Sequence, residues 1–125
     1  MTRVIPTEHQ EQCALFEWAA WMAKHIPELR LMHAIPNGGK RDIRTAAMLK
    51  AEGVKPGVPD ICLPVARGEY HGLYIELKRR SGSHATDNQL DWLEKLSGQG
   101  YKTAICYGWE EAATVITKYL KESAA

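Results

Sequence analysis

Residues 73–78 read Leu-Tyr-Ile-Glu-Leu-Lys, and no other stretch restricts the possible folds as strongly. Alternate side chains of a β-strand point to opposite faces, so Leu73, Ile75 and Leu77 share one face and Tyr74, Glu76 and Lys78 the other. Helix-forming segments lie before and after this strand, and a sheet covered by helices on both sides buries both faces. Glu76 and Lys78 are therefore expected in partly desolvated surroundings. Breaking such a buried pair costs on the order of 3–5 kcal/mol, while replacing both members by apolar residues is often harmless. Stability alone gives no reason for the pair, which points to chemistry.

The rest of the chain supplies a sheet around this strand. Thr7-Glu8-His9-Gln10 has the form of a capping box. It opens a helix that runs to about His25 and stops before Pro27. The apolar stripe of that helix includes Leu15, Trp18 and Met22, with Glu11 one turn earlier on the same stripe. Residues 31–35 form a short strand candidate, and Pro36-Asn37-Gly38-Gly39 a tight loop. A second helix over 42–52 ends at Gly53. After the Gly57-Val58-Pro59 turn, residues 60–64 read as a strand, and a connection through Gly68 and Gly72 leads into 73–78. A helix over 86–97, a strand over 102–107 and a helix over 109–121 complete the order α-β-α-β-β-α-β-α. That order predicts an α/β fold: a single domain over residues 1–125, a mixed β-sheet flanked by helices.

Composition narrows the function classes. The chain has 125 residues, enough for one domain with one core. No apolar run approaches the roughly 18 residues that a membrane span needs, and the N-terminus lacks an apolar signal core. A cytoplasmic, non-secreted protein with no membrane partner is expected. Cys13, Cys62 and Cys106 are widely spaced and read as small apolar residues in a reducing compartment. Sixteen Lys and Arg against fifteen Asp and Glu leave a net charge of +1, so any positive surface for nucleic acid must be local. Two clusters qualify: Lys40, Arg41 and Arg44, then Lys78, Arg79 and Arg80.

Asp60 follows a proline turn, and its strand and the Glu76 strand are natural antiparallel neighbours. Two carboxylates on adjacent strands can hold one hard divalent cation, and magnesium suits a site of one or two carboxylates. The backbone carbonyl of Leu77 could supply a further oxygen. Lys78 would stand beside the attacking water, where its charge would offset negative charge building on phosphorus. The Asn37-Gly38-Gly39 loop, followed by Lys40, Arg41 and a helix start, suits a phosphate, because glycines allow close approach and free N–H groups attract anions. Arg44, Arg79, Arg80 and His84 could contact the same duplex through its backbone, which positions DNA without reading sequence.

Four motifs stand in order: Pro36-Asn37-Gly38-Gly39, Gly57-Val58-Pro59-Asp60, Ile75-Glu76-Leu77-Lys78 and Gln89 in the next helix. Asp60, fifteen intervening residues and then Glu76-Leu77-Lys78 resemble the signature of the PD-(D/E)XK nuclease superfamily. Together the four resemble the VRR-NUC (virus-type replication-repair nuclease) family over roughly residues 9–118. The resemblance implies a restriction-endonuclease-like core and a metal-dependent endonuclease that hydrolyses DNA phosphodiesters. It implies Mg²⁺ or Mn²⁺ on Asp60 and Glu76, with Lys78 assisting the water, Glu11 joining the metal site and Gln89 near the catalytic residues. Glu8, one turn before Glu11, competes for that place. Gln89 has a second reading, since Thr86-Asp87-Asn88-Gln89 is itself a capping box. Short members of the family resemble homodimeric resolvases of branched DNA such as Holliday junctions, so junction DNA, a repair role and a homodimer are expected. A non-catalytic DNA-binding module of the same fold and a sequence-reading restriction-type nuclease are the alternatives.

Overall fold

The computed structural model describes residues 4–37 and 42–122. Thr7 caps helix α1 (Glu8–Met22): its side chain accepts from the Gln10 N–H while Gln10 reaches back to the Thr7 N–H. Pro27 then opens a 3₁₀ helix, Pro27–Leu31. That turn takes up the first residue of the strand expected at 31–35, and strand β1 is reduced to His33–Ala34. Helix α2 spans Ile43–Ala51, β2 Ile61–Leu63, β3 Leu73–Lys78, α3 Asp87–Gly98, β4 Lys102–Tyr107 and α4 Trp109–Leu120.

The four strands form one sheet in the order β1-β2-β3-β4. β1 and β2 are antiparallel, β2 and β3 are antiparallel, and β3 and β4 run parallel. The parallel pair needs a crossover, and α3 supplies it. This is the mixed, helix-flanked α/β fold that the order of elements predicts.

Register decides which side chains meet. Ile61 lies opposite Ile75 and Leu63 opposite Leu73, so one sheet face carries an unbroken apolar layer. Leu15 and Ala19 of α1 and Ala112 and Ile116 of α4 join Ile61, Leu63, Leu73, Ile75 and Leu77 in the core. The opposite face carries Cys62, Tyr74, Glu76 and Lys78, and α3 lies over it, with Leu93 buried there. Both rows of β3 are therefore enclosed, as the hexapeptide requires. Only Tyr74 stays half-buried, with its ring edge-on to Tyr101 at 5.2 Å.

Candidate active site

The turn before β2 aims Asp60 at β3. Gly57 has a φ of 88°, and a Cβ there would run into the side-chain amide of Asn88. Only glycine meets both conditions without strain. From α3, Asn88 Nδ2 and Trp92 Nε1 donate to the Pro56 carbonyl at 2.9 and 3.1 Å, which ties this turn to the crossover helix. The chain leaves the turn through buried Pro59 and places Asp60 on the same face as Glu76.

Asp60 is held from two sides. Its Oδ2 accepts from the Leu77 N–H at 2.8 Å, and its Oδ1 accepts from Asn37 Nδ2 at 3.2 Å. The backbone supports both contacts, because the Ile35 N–H donates to the Asp60 carbonyl at 2.7 Å and continues the β1–β2 pairing. Asn37 was expected only in a phosphate loop. Its side chain instead orients the first candidate ligand, a role that local pattern does not reveal because it depends on strand register.

Glu76 is 1% exposed and Lys78 5%. Lys78 Nζ lies 3.6 Å from Glu76 Oε2, and Gln89 Nε2 donates to the same oxygen at 3.2 Å. Glu76 Oε1 has no partner; among the described residues it is the single buried side-chain nitrogen or oxygen left so. Burial, the adjoining Asp60 carboxylate and its charge push the Glu76 carboxyl up to about 9, with Glu8 adding repulsion and Lys78 opposing the rise. A second cation on this face would relieve both the burial and the repulsion.

Gln89 fills both of its expected roles at once. Its Oε1 accepts from the Thr86 N–H at 2.8 Å, and Thr86 Oγ1 accepts from the Gln89 N–H at 3.1 Å, which completes the capping box. With the amide oxygen so engaged, the amide nitrogen is the end that faces Glu76. The helix cap thus fixes an orientation that an isolated amide would leave open.

The backbone of β3 offers one further oxygen beside Asp60. Leu77 sends its N–H toward Asp60, while the Lys78 carbonyl accepts from the Gly108 N–H on the β4 side at 2.8 Å. Backbone groups alternate along a strand, so the Leu77 carbonyl also faces the Asp60 edge. Among the described residues no three His, Cys, Asp or Glu side chains gather at metal-binding distance. A tetrahedral nitrogen–sulfur zinc site finds no donors here, whereas two carboxylates and a carbonyl fit a magnesium-type ion that retains several waters.

Two expected residues go elsewhere. Glu11 points inward as its stripe position predicts, but both of its oxygens are already engaged. Oε2 accepts from Arg80 Nε at 2.8 Å, and Oε1 accepts from Arg80 Nη2 at 3.0 Å and from the Trp109 N–H at 3.1 Å. The Arg80 guanidinium holds the Glu11 carboxyl below its ordinary value, against the opposing effect of burial. Of the α1 carboxylates, Glu8 adds to the repulsion that raises Glu76. Arg80, expected on DNA, pairs with Glu11 and with Glu110 at 2.9 Å.

The basic loop is corrected in part. Gly38, Gly39, Lys40 and Arg41 lie outside the described residues. At the start of α2 Asp42 is the cap and accepts from the Thr45 N–H at 2.8 Å, so one N–H of the first turn is engaged and a carboxylate stands at the helix start. Arg44 and Arg79 are exposed, and Arg79 donates to the Gly82 carbonyl at 3.0 Å.

A family model described as the VRR-NUC domain matches residues 3–110. The chain belongs to the VRR-NUC family. A solved structure of a "VRR_NUC domain protein" is 30% identical and superposes with a TM-score of 0.79, covering 99% of this chain and 94% of its own. No curated protein matches. Membership makes this VRR-NUC chain a nuclease-type, DNA-processing domain. Among its described residues no helix is long and apolar enough to cross a membrane.

Proposed function

We propose that this chain is a divalent-metal-dependent DNA endonuclease that hydrolyses phosphodiester bonds and selects branched DNA by shape. The observation that carries the reading is the unpartnered Oε1 of buried Glu76 beside Asp60. A buried carboxylate oxygen without a donor is costly, and its retention on a face with other oxygen donors is the mark of a ligand position. Asp60, Glu76 and the Leu77 carbonyl would hold the ion, Mg²⁺ or Mn²⁺. When bound, the ion supplies Lewis-acid stabilisation of phosphate charge and lowers the pKa of water.

The chain's own residues do the rest. Gln89 and Lys78 engage Glu76 Oε2, so the two carboxylate oxygens have separate tasks, one anchored and one free. Asn37 and the Leu77 N–H each donate to a different oxygen of Asp60, which fixes its orientation, and each oxygen keeps a second lone pair for the ion. The Lys78 ammonium offsets negative charge that develops as a water oxygen bonds to phosphorus and the sugar oxygen leaves. Arg44 and Arg79 supply phosphate contacts, which any sequence offers, so the shape of the DNA becomes the selector. Symmetric cleavage of a four-way junction would require two copies, and a homodimer is expected in solution.

The test is cleavage of labelled four-way junction and matched linear duplex with Mg²⁺, Mn²⁺ or EDTA, for wild type and Asp60→Ala. Junction cutting that needs the metal and disappears in the variant is the expected result. Cutting of linear duplex at a fixed sequence would replace junction selectivity by sequence reading. Binding without cutting under every condition would leave a DNA-binding module.

A further inference from the structure

One side chain borders the site from the neighbouring strand. β4 runs parallel to β3, with Ile105 level with Glu76 and Tyr107 level with Lys78. Paired residues of adjacent strands stand on the same face of a sheet, about 4.8 Å apart. Tyr107 therefore stands beside Lys78 on the face that carries Glu76. The Gly108 N–H donates to the Lys78 carbonyl at 2.8 Å and fixes the two strand ends against each other.

The cover on this face ends where Tyr107 begins. Helix α3 starts at Asp87, its first-turn Gln89 reaches Glu76, and from there the helix runs back toward the start of β4. Ile105 is half-buried, whereas Tyr107, one step nearer the strand end, is 36% exposed. Tyr119 spends its hydroxyl on the Val65 carbonyl; among the described residues the Tyr107 hydroxyl has no such acceptor. A phosphodiester that reaches Lys78 over this end of the sheet meets that hydroxyl. An uncharged donor suits the place, because a further Lys or Arg would pair with Glu76 and Asp60 and compete with an ion for them. A phenol O–H adds a hydrogen bond without adding a charge.

We infer that Tyr107 is a further substrate-contacting residue, whose hydroxyl donates to a non-bridging oxygen of the phosphodiester beside Lys78. The inference rests on the function proposed above.

The experiment measures binding of labelled four-way junction in EDTA by fluorescence anisotropy, for wild type, Tyr107→Phe, Tyr107→Ala and Tyr70→Phe. Tyr70 is 37% exposed but lies against Lys102 at the other end of β4, so it controls for loss of a surface hydroxyl. Methylphosphonates, which replace one non-bridging oxygen by a methyl group, are scanned one position at a time along the strand. Single-turnover cleavage in Mg²⁺ maps the cut. Tyr107→Phe should weaken binding about tenfold, as loss of a hydrogen bond to a charged group does. Tyr70→Phe should bind as wild type does. At the scissile phosphate, methylphosphonate should erase the difference between wild type and Tyr107→Phe, because both changes remove one contact. Wild-type affinity in Tyr107→Phe would overturn the inference, and loss confined to Tyr107→Ala would leave only an apolar contact of the ring. Additive losses at every position, or coupling to a phosphate remote from the cut, would overturn it as well. Wild type that binds DNA but cuts in no metal overturns the endonuclease reading, while the scan still decides whether Tyr107 holds a phosphate.

Discussion

Glu11 and Glu76 are equally buried, each 1% exposed, yet the fold treats them in opposite ways. Glu11 accepts three hydrogen bonds, and its carboxyl is held below the usual value. Among the described residues Glu76 accepts one hydrogen bond, lies against another carboxylate, and keeps one oxygen without a donor. The first is a finished joint between secondary-structure elements. The second, on the reading proposed above, would be completed by a cation. Burial of a carboxyl group therefore does not distinguish structure from function here; the inventory of donors does.

Replacing each carboxylate should break the symmetry most clearly. Glu76→Gln should lower cleavage by on the order of 10²–10³-fold or more, the scale of losing a principal charge-stabilising group. It should also stabilise the metal-free protein, by about 1 kcal/mol, as relief of active-site strain commonly does. Removing the partner of Glu11 should act the other way: Arg80→Ala leaves the buried Glu11 carboxylate with the Trp109 N–H alone and should lower stability. Urea unfolding in EDTA measures both, and the same sign for the two variants would erase the distinction.

The two groups should also bend stability in opposite directions with pH. Glu76 in the fold keeps a proton that the unfolded chain, with an ordinary value of 4.5, has released. The native state then binds more protons, so this group makes the metal-free protein lose stability as pH rises from about 5 toward about 9. Glu11 is shifted down, so its contribution is present above 4.5 and is lost as pH falls through its lowered folded value. Melting temperatures from pH 5 to 9 should fall in EDTA and fall less with Mg²⁺. Glu76→Gln should flatten the decline; an unchanged slope in that variant would remove Glu76 as its source.

Gln89 allows a finer cut, because its two contacts can be separated. Gln89→Glu keeps a residue able to complete the capping box, so stability should change by less than about 1 kcal/mol. The donor on Glu76 Oε2 is lost and a like charge takes its place. Cleavage should fall by about tenfold or more, within the range for a positioned polar partner. Equal loss of helix stability and activity would return Gln89 to a purely structural role.

These contrasts were legible in the sequence to different depths. Period-2 alternation in Leu73–Lys78 exposes Glu76 and Lys78 as buried charges, because strand geometry alone fixes which side chains share a face. The short connection between β2 and β3 likewise makes Asp60 and Glu76 neighbours. Glu11 marks the boundary of that reasoning. Its stripe shows that it points inward, but its partner stands 69 residues away, and no local pattern chooses between a metal and Arg80. Asn37 fails to show for the same reason, since its contact with Asp60 depends on the β1–β2 register. The strand expected at 31–35 forms but is shortened to His33–Ala34, with the turn that Pro27 starts taking up Leu31.

The smallest effect tests the same principle among the cations. Arg44 is exposed on α2, while Arg80, 43% exposed in its side chain, is already engaged by Glu11 and Glu110. Exposure alone would rank both as DNA contacts, but among the described residues Arg44 has no side-chain partner, whereas Arg80 has two carboxylates. A phosphate contact releases counterions, and each one lost should reduce the slope of log affinity against log salt by about 0.9 on duplex DNA. Binding titrations in EDTA across a salt series should show that reduction for Arg44→Gln and none for Arg80→Gln. A shallower slope for Arg80→Gln would mean that its fork opens to take a phosphate, and Glu11 would then be a latch released by DNA.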